Sequence, residues 1–166
     1  MDTLRLAGII AESIVDGPGI RFVLFTQGCP HHCEGCHNPE THDFSKGTDC
    51  DIEKIARKIK KNPIVRGVTF SGGEPMCQAR ALAPLAKILK ESGYHLACYT
   101  GYTFEELLDR QNPGELALLS FLDLLIDGKF LLAQKDLTLK FRGSKNQRIL
   151  NVPESLLQKK AILAEI

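Results

Sequence analysis

Three of the chain's six cysteines fall within eight residues, in Cys29-Pro30-His31-His32-Cys33-Glu34-Gly35-Cys36, directly after the apolar run Ile20 to Gln27. No other feature constrains the fold as tightly: a polar loop must leave a buried strand and hold three thiols close together. Thiolates are soft ligands that suit iron–sulfur clusters and zinc. Structural zinc normally takes four protein ligands, and electron-transfer clusters normally take four cysteines. The C-x3-C-x2-C spacing has no second C-x2-C to complete such a set, and Cys50, Cys77 and Cys98 are scattered. A four-iron cubane on three thiolates keeps one iron open, which a metal site needs if a substrate is to bind the metal. The competing reading is a zinc site completed by His31, His32 or His37. Cys98 sits in an apolar run and reads as core, as buried cysteines often do. Packing is the expected role of Cys77 as well.

Elsewhere strand-type and helix-type patterns alternate. Residues 4–10 and 20–27 read as strands, with the turn signal Asp16-Gly17-Pro18-Gly19 between them. A polar loop runs from Gly28 to Lys46. Ile52, Ile55, Ala56 and Ile59 recur at helical spacing over 51–61, closed by Asn62-Pro63. Residues 67–71 form a short strand running into Gly72-Gly73-Glu74-Pro75, 78–92 a helix stopped by Gly93, and 94–100 a strand. Thr103 caps a helix through Arg110, with Glu106 completing a capping box. Leu116 to Ile126 is apolar and ends as a strand over 123–126; 147–152 is a last strand, and the tail from Glu154 is helical. This alternation predicts parallel βαβ units in a single α/β domain spanning 1–166. The notable residues all follow strands, so four segments meet on one face, at the carboxyl ends where such sheets place their sites.

Bulk properties exclude several classes. Net charge is +1, which gives no electrostatic case for nucleic acid or an anionic membrane. No apolar run approaches a membrane span, and Met1 to Arg5 lacks the basic-then-apolar order of a leader, so a cytoplasmic protein is expected. Thiols stay reduced there, which favours metal or catalysis over disulfides.

The cysteine spacing together with Gly-Gly-Glu-Pro after the next strand resembles the radical S-adenosylmethionine superfamily. The string Asp16-Gly17-Pro18-Gly19-Ile20-Arg21, through Cys29 and on to Cys36-His37-Asn38-Pro39-Glu40-Thr41, is similar to the activating enzymes of glycyl-radical enzymes. Asp127-Gly128-Lys129-Phe130, Phe141-Arg142-Gly143-Ser144, Asn146-Gln147-Arg148 and the short length resemble the activators of anaerobic ribonucleoside-triphosphate reductase most closely. The resemblance covers nearly the whole chain.

It implies a partial βα barrel with mostly parallel strands. It implies a 4Fe-4S cluster on Cys29, Cys33 and Cys36 with one open iron, and S-adenosyl-L-methionine as the second cofactor. Gly72, Gly73 and Glu74 would meet the cofactor's methionine amino group, and Asp127 and Lys129 its methionine end, with Thr100 a lesser contact of the same kind. The superfamily often has an aromatic residue before the third cysteine; here it is Gly35, so His37, or the backbone from Gly35 through Cys36 to His37, would meet the adenine. The implied partner is a glycyl-radical enzyme, with a low-potential electron donor, and no nucleic acid or membrane. Each candidate also has a plain reading: Glu74 as a turn residue ordering its loop, and Asp127 and Lys129 as a solvated pair. Arg21, in an apolar strand, calls for a carboxylate or solvent partner. It would brace the cluster loop or meet the partner protein. Arg142, Lys145 and Arg148 read as solvated surface. The alternatives at this point are an activator of another glycyl-radical enzyme such as pyruvate formate-lyase, and a non-enzymatic zinc or electron-carrier module.

Overall fold

The computed structural model describes residues 3–166; Met1 and Asp2, part of the stretch without a leader pattern, lie outside the described residues. Strands β1 (Thr3–Ser13), β2 (Arg21–Thr26), β3 (Thr48–Asp51), β4 (Gly67–Gly72), β5 (His95–Tyr99), β6 (Leu124–Asp127) and β7 (Arg148–Asn151) form one sheet in the order β3-β1-β2-β4-β5-β6-β7. The central strands β2, β4, β5 and β6 run parallel, as the alternating pattern predicts. The flanking pairings, β1 with β2 and β3 and β6 with β7, are antiparallel.

Crossovers α1 (Ile52–Lys60), α2 (Ala79–Glu91), α3 (Phe104–Arg110) and α4 (Pro113–Leu119) lie between the strands, and α5 (Val152–Gln158) follows β7. Ile52, Ile55, Ala56 and Ile59 of α1 are all buried, and Asp51 caps the helix by accepting from the Glu53 N–H. Thr103 and Glu106 form the expected capping box on α3. Helix α4 is not apparent from apolar spacing, but its start carries two local signals: Asn112 accepts from the Glu115 N–H, and Pro113 occupies the first turn. Strand β3 has no apolar alternation; its polar residues become a strand because β1 offers them a partner from Thr3 to Leu6.

Strand alternation gives the sheet two different faces. Phe22, Leu24, Val68, Phe70, Leu96, Cys98 and Leu125 point to the helices and form the main core. The intervening residues Arg21, Thr69, Ser71, His95 and Tyr99 line the other face, with the small apolar cluster Ala97, Leu124 and Ile126. That face keeps polar groups because they bond to one another and to the main chain, as Arg21 does to Thr69 and Thr69 to Asp16 O.

Arg21 is 1% exposed, and among the described residues no carboxylate lies against its guanidinium. The expected carboxylate or solvent partner is replaced by neutral acceptors: Thr69 Oγ1 at 2.7 Å, Pro18 O at 2.9 Å, and Val68 O, His95 O and His95 Nδ1 each at 3.0 Å. The side chain ties the Asp16–Gly19 turn to β4 and β5 at the amino ends of the parallel strands. It does not brace the cysteine loop, which leaves the opposite end. Burial pushes the Arg21 guanidinium down to about 10, so it remains charged at neutral pH. Because arginine only donates, His95 Nδ1 must accept, and the ring is neutral.

Burial first, then the Arg21 charge, lowers the His95 pKa; Lys90 adds to this and Asp123 opposes it. The folded chain thus resists a proton that the unfolded chain takes up near its ordinary pKa of about 6.5. Unfolded protein then binds more protons in that window, so stability is present above it and falls as pH drops. Thermal melts at pH 7.5 and 5.5 should show this loss in the native chain and a smaller one in His95→Gln.

Candidate functional site

Strand β2 ends at Thr26, and the cysteine loop begins two residues later. Its ends are tied together: Gly28 N donates to Thr41 O at 2.6 Å and Cys29 N to His42 O at 3.2 Å, after a 3-10 turn over Pro39–Thr41. Gln27 Nε2 donates to Glu40 O and Asp43 O, fixing the return limb. Inside the loop, Cys36 N donates to Cys33 O, and Gly35 takes a φ of 73° that suits glycine. Cys29 is buried, while Cys33 and Cys36 are half-buried. Burial raises the Cys29 thiol above its ordinary range and raises Cys33 likewise; the nearby thiols reinforce both shifts. Without a metal centre Cys29 and Cys33 are held as thiols, and ligation would draw the protons off.

The Gly-Gly-Glu-Pro turn after β4 lies flush against this loop. Gly73 N donates to Thr26 O and Glu74 N to Gly28 O, both at 2.8 Å. A Cβ on Gly73 would come within 2.3 Å of Gly28 O, and one on Gly72 within 2.4 Å of Thr26 N. Backbone approach therefore explains both glycines before any ligand is considered.

Glu74 is fully buried and joins three loops. Its carboxylate accepts from Met76 N at 2.9 Å, Thr100 Oγ1 at 2.9 Å and Gly101 N at 2.7 Å, and pairs with His31 Nε2 at 2.7 Å. The turn-ordering reading is the one its geometry displays, and Thr100 is one of its donors. The His31 ring also meets Tyr102 edge-on at 4.7 Å; Arg110 lies over that ring at 4.4 Å and pairs with Glu115.

Asp127 goes elsewhere. By strand alternation it shares the helix-facing side with Leu125, and its carboxylate accepts from Phe104 N at 2.8 Å and from Arg148 Nε and Nη2 at 3.0 and 2.5 Å. Asp127 is therefore no solvated loop residue, and Arg148 is no free surface cation. Lys129 is exposed, close enough to Cys33 for its charge to oppose the rise of that thiol.

A cavity of about 590 Å³ opens on the polar face of the sheet. Cys36, His37 and Asn38 border it, with Ser71 and Gly72 from β4, Tyr99 from β5 and the segment 136–143 beyond. Tyr99 Oη donates to Phe141 O at 2.6 Å and anchors that segment. Of the sequence-predicted residues, Cys36, His37 and Gly72 line the cavity. Gly35, Cys29, Cys33, Gly73, Glu74 and Thr100 form or support its cysteine-loop end, and Asp127 does not reach it. Asp16, Ser71, Tyr99 and Arg142 line it without having been singled out as site residues. Strand parity carried the signal for Ser71 and Tyr99. Arg142 Nε is buried without an acceptor among the described residues, which no sequence pattern reveals.

Residues 15–150 match the family described as 4Fe-4S single cluster domain. The anaerobic ribonucleoside-triphosphate reductase-activating protein of Vibrio cholerae is 40% identical over 144 residues, covering 82% of this chain and 90% of that protein. The chain belongs to this activating-protein family. The pyruvate formate-lyase-activating enzyme of Clostridium pasteurianum is 41% identical over 113 residues, 63% of this chain and 48% of that enzyme. Among solved structures, QueE from Escherichia coli aligns with a TM-score of 0.49 at 22% identity, covering 61% of this chain and 54% of that chain.

The loop of this activating-protein family member fits a cluster held by three thiolates. Three cysteines share one closed loop, and Asn38 N donates to Cys36 Sγ at 3.4 Å, the kind of contact that tunes a cluster. Of the imidazoles that could complete a zinc set, His31 has Nε2 paired with Glu74, while His32 lies edge-on to His42 and His37 against Phe130. Among the described residues no three His, Cys, Asp or Glu side chains converge as around a single ion. The ligands of a cubane sit on separate iron corners and need no such convergence.

Proposed function

We propose that the chain activates anaerobic ribonucleoside-triphosphate reductase, with Cys29, Cys33 and Cys36 as the ligands of its 4Fe-4S cluster and the adjoining cavity as the seat of S-adenosylmethionine. Bound there, and supplied with one electron by a low-potential donor, the two cofactors would provide reductive cleavage to methionine and a 5′-deoxyadenosyl radical for hydrogen abstraction from the Cα of a glycine in the partner. The protein's own part is positioning. Glu74 fixes the cysteine loop against the β4 and β5 ends, Gly72 and Gly73 let the β4 turn close on it, and His37 offers a ring to the adenine beside Gly35. Lys129, beside Cys33, is the cation placed to meet the cofactor's carboxylate. Tyr99 holds the segment 136–143 across the cavity and limits entry of water.

The observation that carries this reading is the cysteine loop closed on Gly73 and Glu74 with its Cys36 side bordering a cavity of cofactor size. The sheet is read as a partial βα barrel whose cavity-bearing face admits the partner. Among the described residues no helix is long and apolar enough to cross a membrane. A cytoplasmic setting and a low-potential reductant belong to the same proposal.

Anaerobic reconstitution with iron and sulfide, then addition of dithionite and S-adenosylmethionine, should give 5′-deoxyadenosine. A zinc-filled, inactive protein would overturn the enzyme reading. Offered the reductase and pyruvate formate-lyase separately, the chain should raise a glycyl-radical resonance in the reductase; a signal with the lyase alone would reassign the target. Cys33→Ala should bind no cluster by iron content and visible absorbance, whereas Cys50→Ala should bind it normally.

A further inference from the structure

The edge of the sheet beside the cavity is left open. Strand β1 is covered by β3 only from Thr3 to Leu6; beyond it Gly8, Ile9, Ile10 and Ser13 pair with β2, with irregularities between Leu6 and Gly8 and between Ile10 and Ser13, and among the described residues no strand pairs with its other side. Six residues in a row, Ala7 to Glu12, are exposed, and Ile9 and Ile10 are 38% and 43% exposed. Proteins usually protect such edges with lysine, proline or a covering segment. This stretch has no lysine or proline, and its one charge, Glu12, is held by Asn62 Nδ2 at 3.0 Å.

The open edge leads somewhere. Past Ser13 the chain continues as Ile14 and Val15, 73% and 69% exposed, and these two residues with Asp16 line the cavity that Cys36 borders. Leu137, 79% exposed, stands on the segment forming another wall of the cavity. Seven residues of edge span about 23 Å, enough to fix the register of an added strand.

We infer that the Ala7–Ser13 edge of β1 captures the extended, glycine-bearing segment of the reductase as an added strand and leads it over Ile14 and Val15 into the cavity. The inference rests on the proposed activity and names the surface by which that activity selects its partner. Strand addition is recognition through the main chain, with alternate side chains providing choice. It suits a target whose reacting residue has no side chain to grip. Register, set by ladder hydrogen bonds, decides which Cα arrives at the cavity. The apolar lips exclude water from the arriving segment.

The test is anaerobic hydrogen exchange on the reconstituted chain with S-adenosylmethionine, with and without the reductase. Amides from Ala7 to Ser13 should exchange about tenfold more slowly in the complex. The double variant Ile9→Lys with Ile10→Lys, at exposed positions that leave folding intact, should keep partner-free 5′-deoxyadenosine formation unchanged. It should need about tenfold more reductase for a half-maximal glycyl-radical signal. Unchanged exchange at these amides while the radical forms would overturn the docking assignment. So would protection that rises with the concentration of the activator alone, which would give the edge to a second copy. No partner-free 5′-deoxyadenosine from the native chain would instead remove the activity beneath it, a failure read separately from that of docking.

Discussion

Replacing Glu74 with alanine should destabilise the chain by about 3–5 kcal/mol, the usual cost of removing one partner from a buried charged network. Four donors lose their acceptor at once: Met76 N, Thr100 Oγ1, Gly101 N and His31 Nε2. Met76 and Thr100 are buried and His31 and Gly101 partly so, so little water can replace the carboxylate. For a chain of this length that corresponds to a fall in melting temperature on the order of 10 °C. The effect on the site should exceed the effect on the fold, since Glu74 is where the cysteine loop, the β4 turn and the β5 turn are joined. Iron retention after reconstitution should drop with stability. Glu74→Gln keeps the volume and one acceptor oxygen but points an amide at donors, so its loss should be about 1.5–3 kcal/mol. A Glu74→Ala chain that melts like the native one and holds its full iron would show that the loop is positioned by its cysteines alone.

Arg21→Met should cost about 3–5 kcal/mol, and Arg21→Lys nearly as much. Two effects oppose each other here. Burying a cation without a carboxylate is unfavourable, as the drop of the guanidinium to about 10 shows. Against that stand five hydrogen bonds to a charged group, each worth about 1.5–3 kcal/mol, whose neutral acceptors would be orphaned. The bonds win, because Pro18 O, His95 O and Thr69 Oγ1 have little access to water around a side chain that is 1% exposed. Lysine keeps the charge but has a single ammonium in place of a planar fork, and it cannot reach the turn, β4 and β5 together. Denaturant melts give the stability. Faster hydrogen exchange over residues 14–19 would show the turn released, and with it one wall of the cavity. A hydrophobic variant as stable as the native chain would make Arg21 a tolerated charge and not a clamp.

What the amino-acid order revealed and what it hid follow from how each signal arises. The cysteine loop, the Gly-Gly-Glu-Pro turn and the parallel strand core were legible because spacing and period are local. The capping box at Thr103 was legible for the same reason. Strand β3 was hidden because Thr48 to Asp51 carry no alternation and become a strand only against β1. Arg21 was legible as a costly charge, but its partners were not, since all but Pro18 O come from β4 and β5 and they are hydroxyl, backbone and imidazole groups. Asp127 was drawn to the site by its position after a strand. Counting in twos from Leu125 places it on the helix side, where Arg148 and the start of α3 claim its carboxylate. Glu74 was visible as important and ambiguous in role, because one residue name cannot tell a group facing a ligand from one facing its own protein.

The sheet order also sets a timetable for synthesis. The ladder between β1 and β2 uses only the first 26 residues, but β2 finds its other neighbour in β4. Arg21 bonds to a carbonyl 74 residues further on. At a translation rate of about 5–20 residues per second, those 74 residues take about 4–15 s to appear. Through that interval the guanidinium stays hydrated and the amino-terminal third remains unsettled on the ribosome. The thiol loop waits as well, since Gly28 O and the His31 ring are held by Glu74. Iron delivered to the nascent chain would meet three loose thiols and no scaffold, so metal loading belongs after the second half of the sheet has emerged.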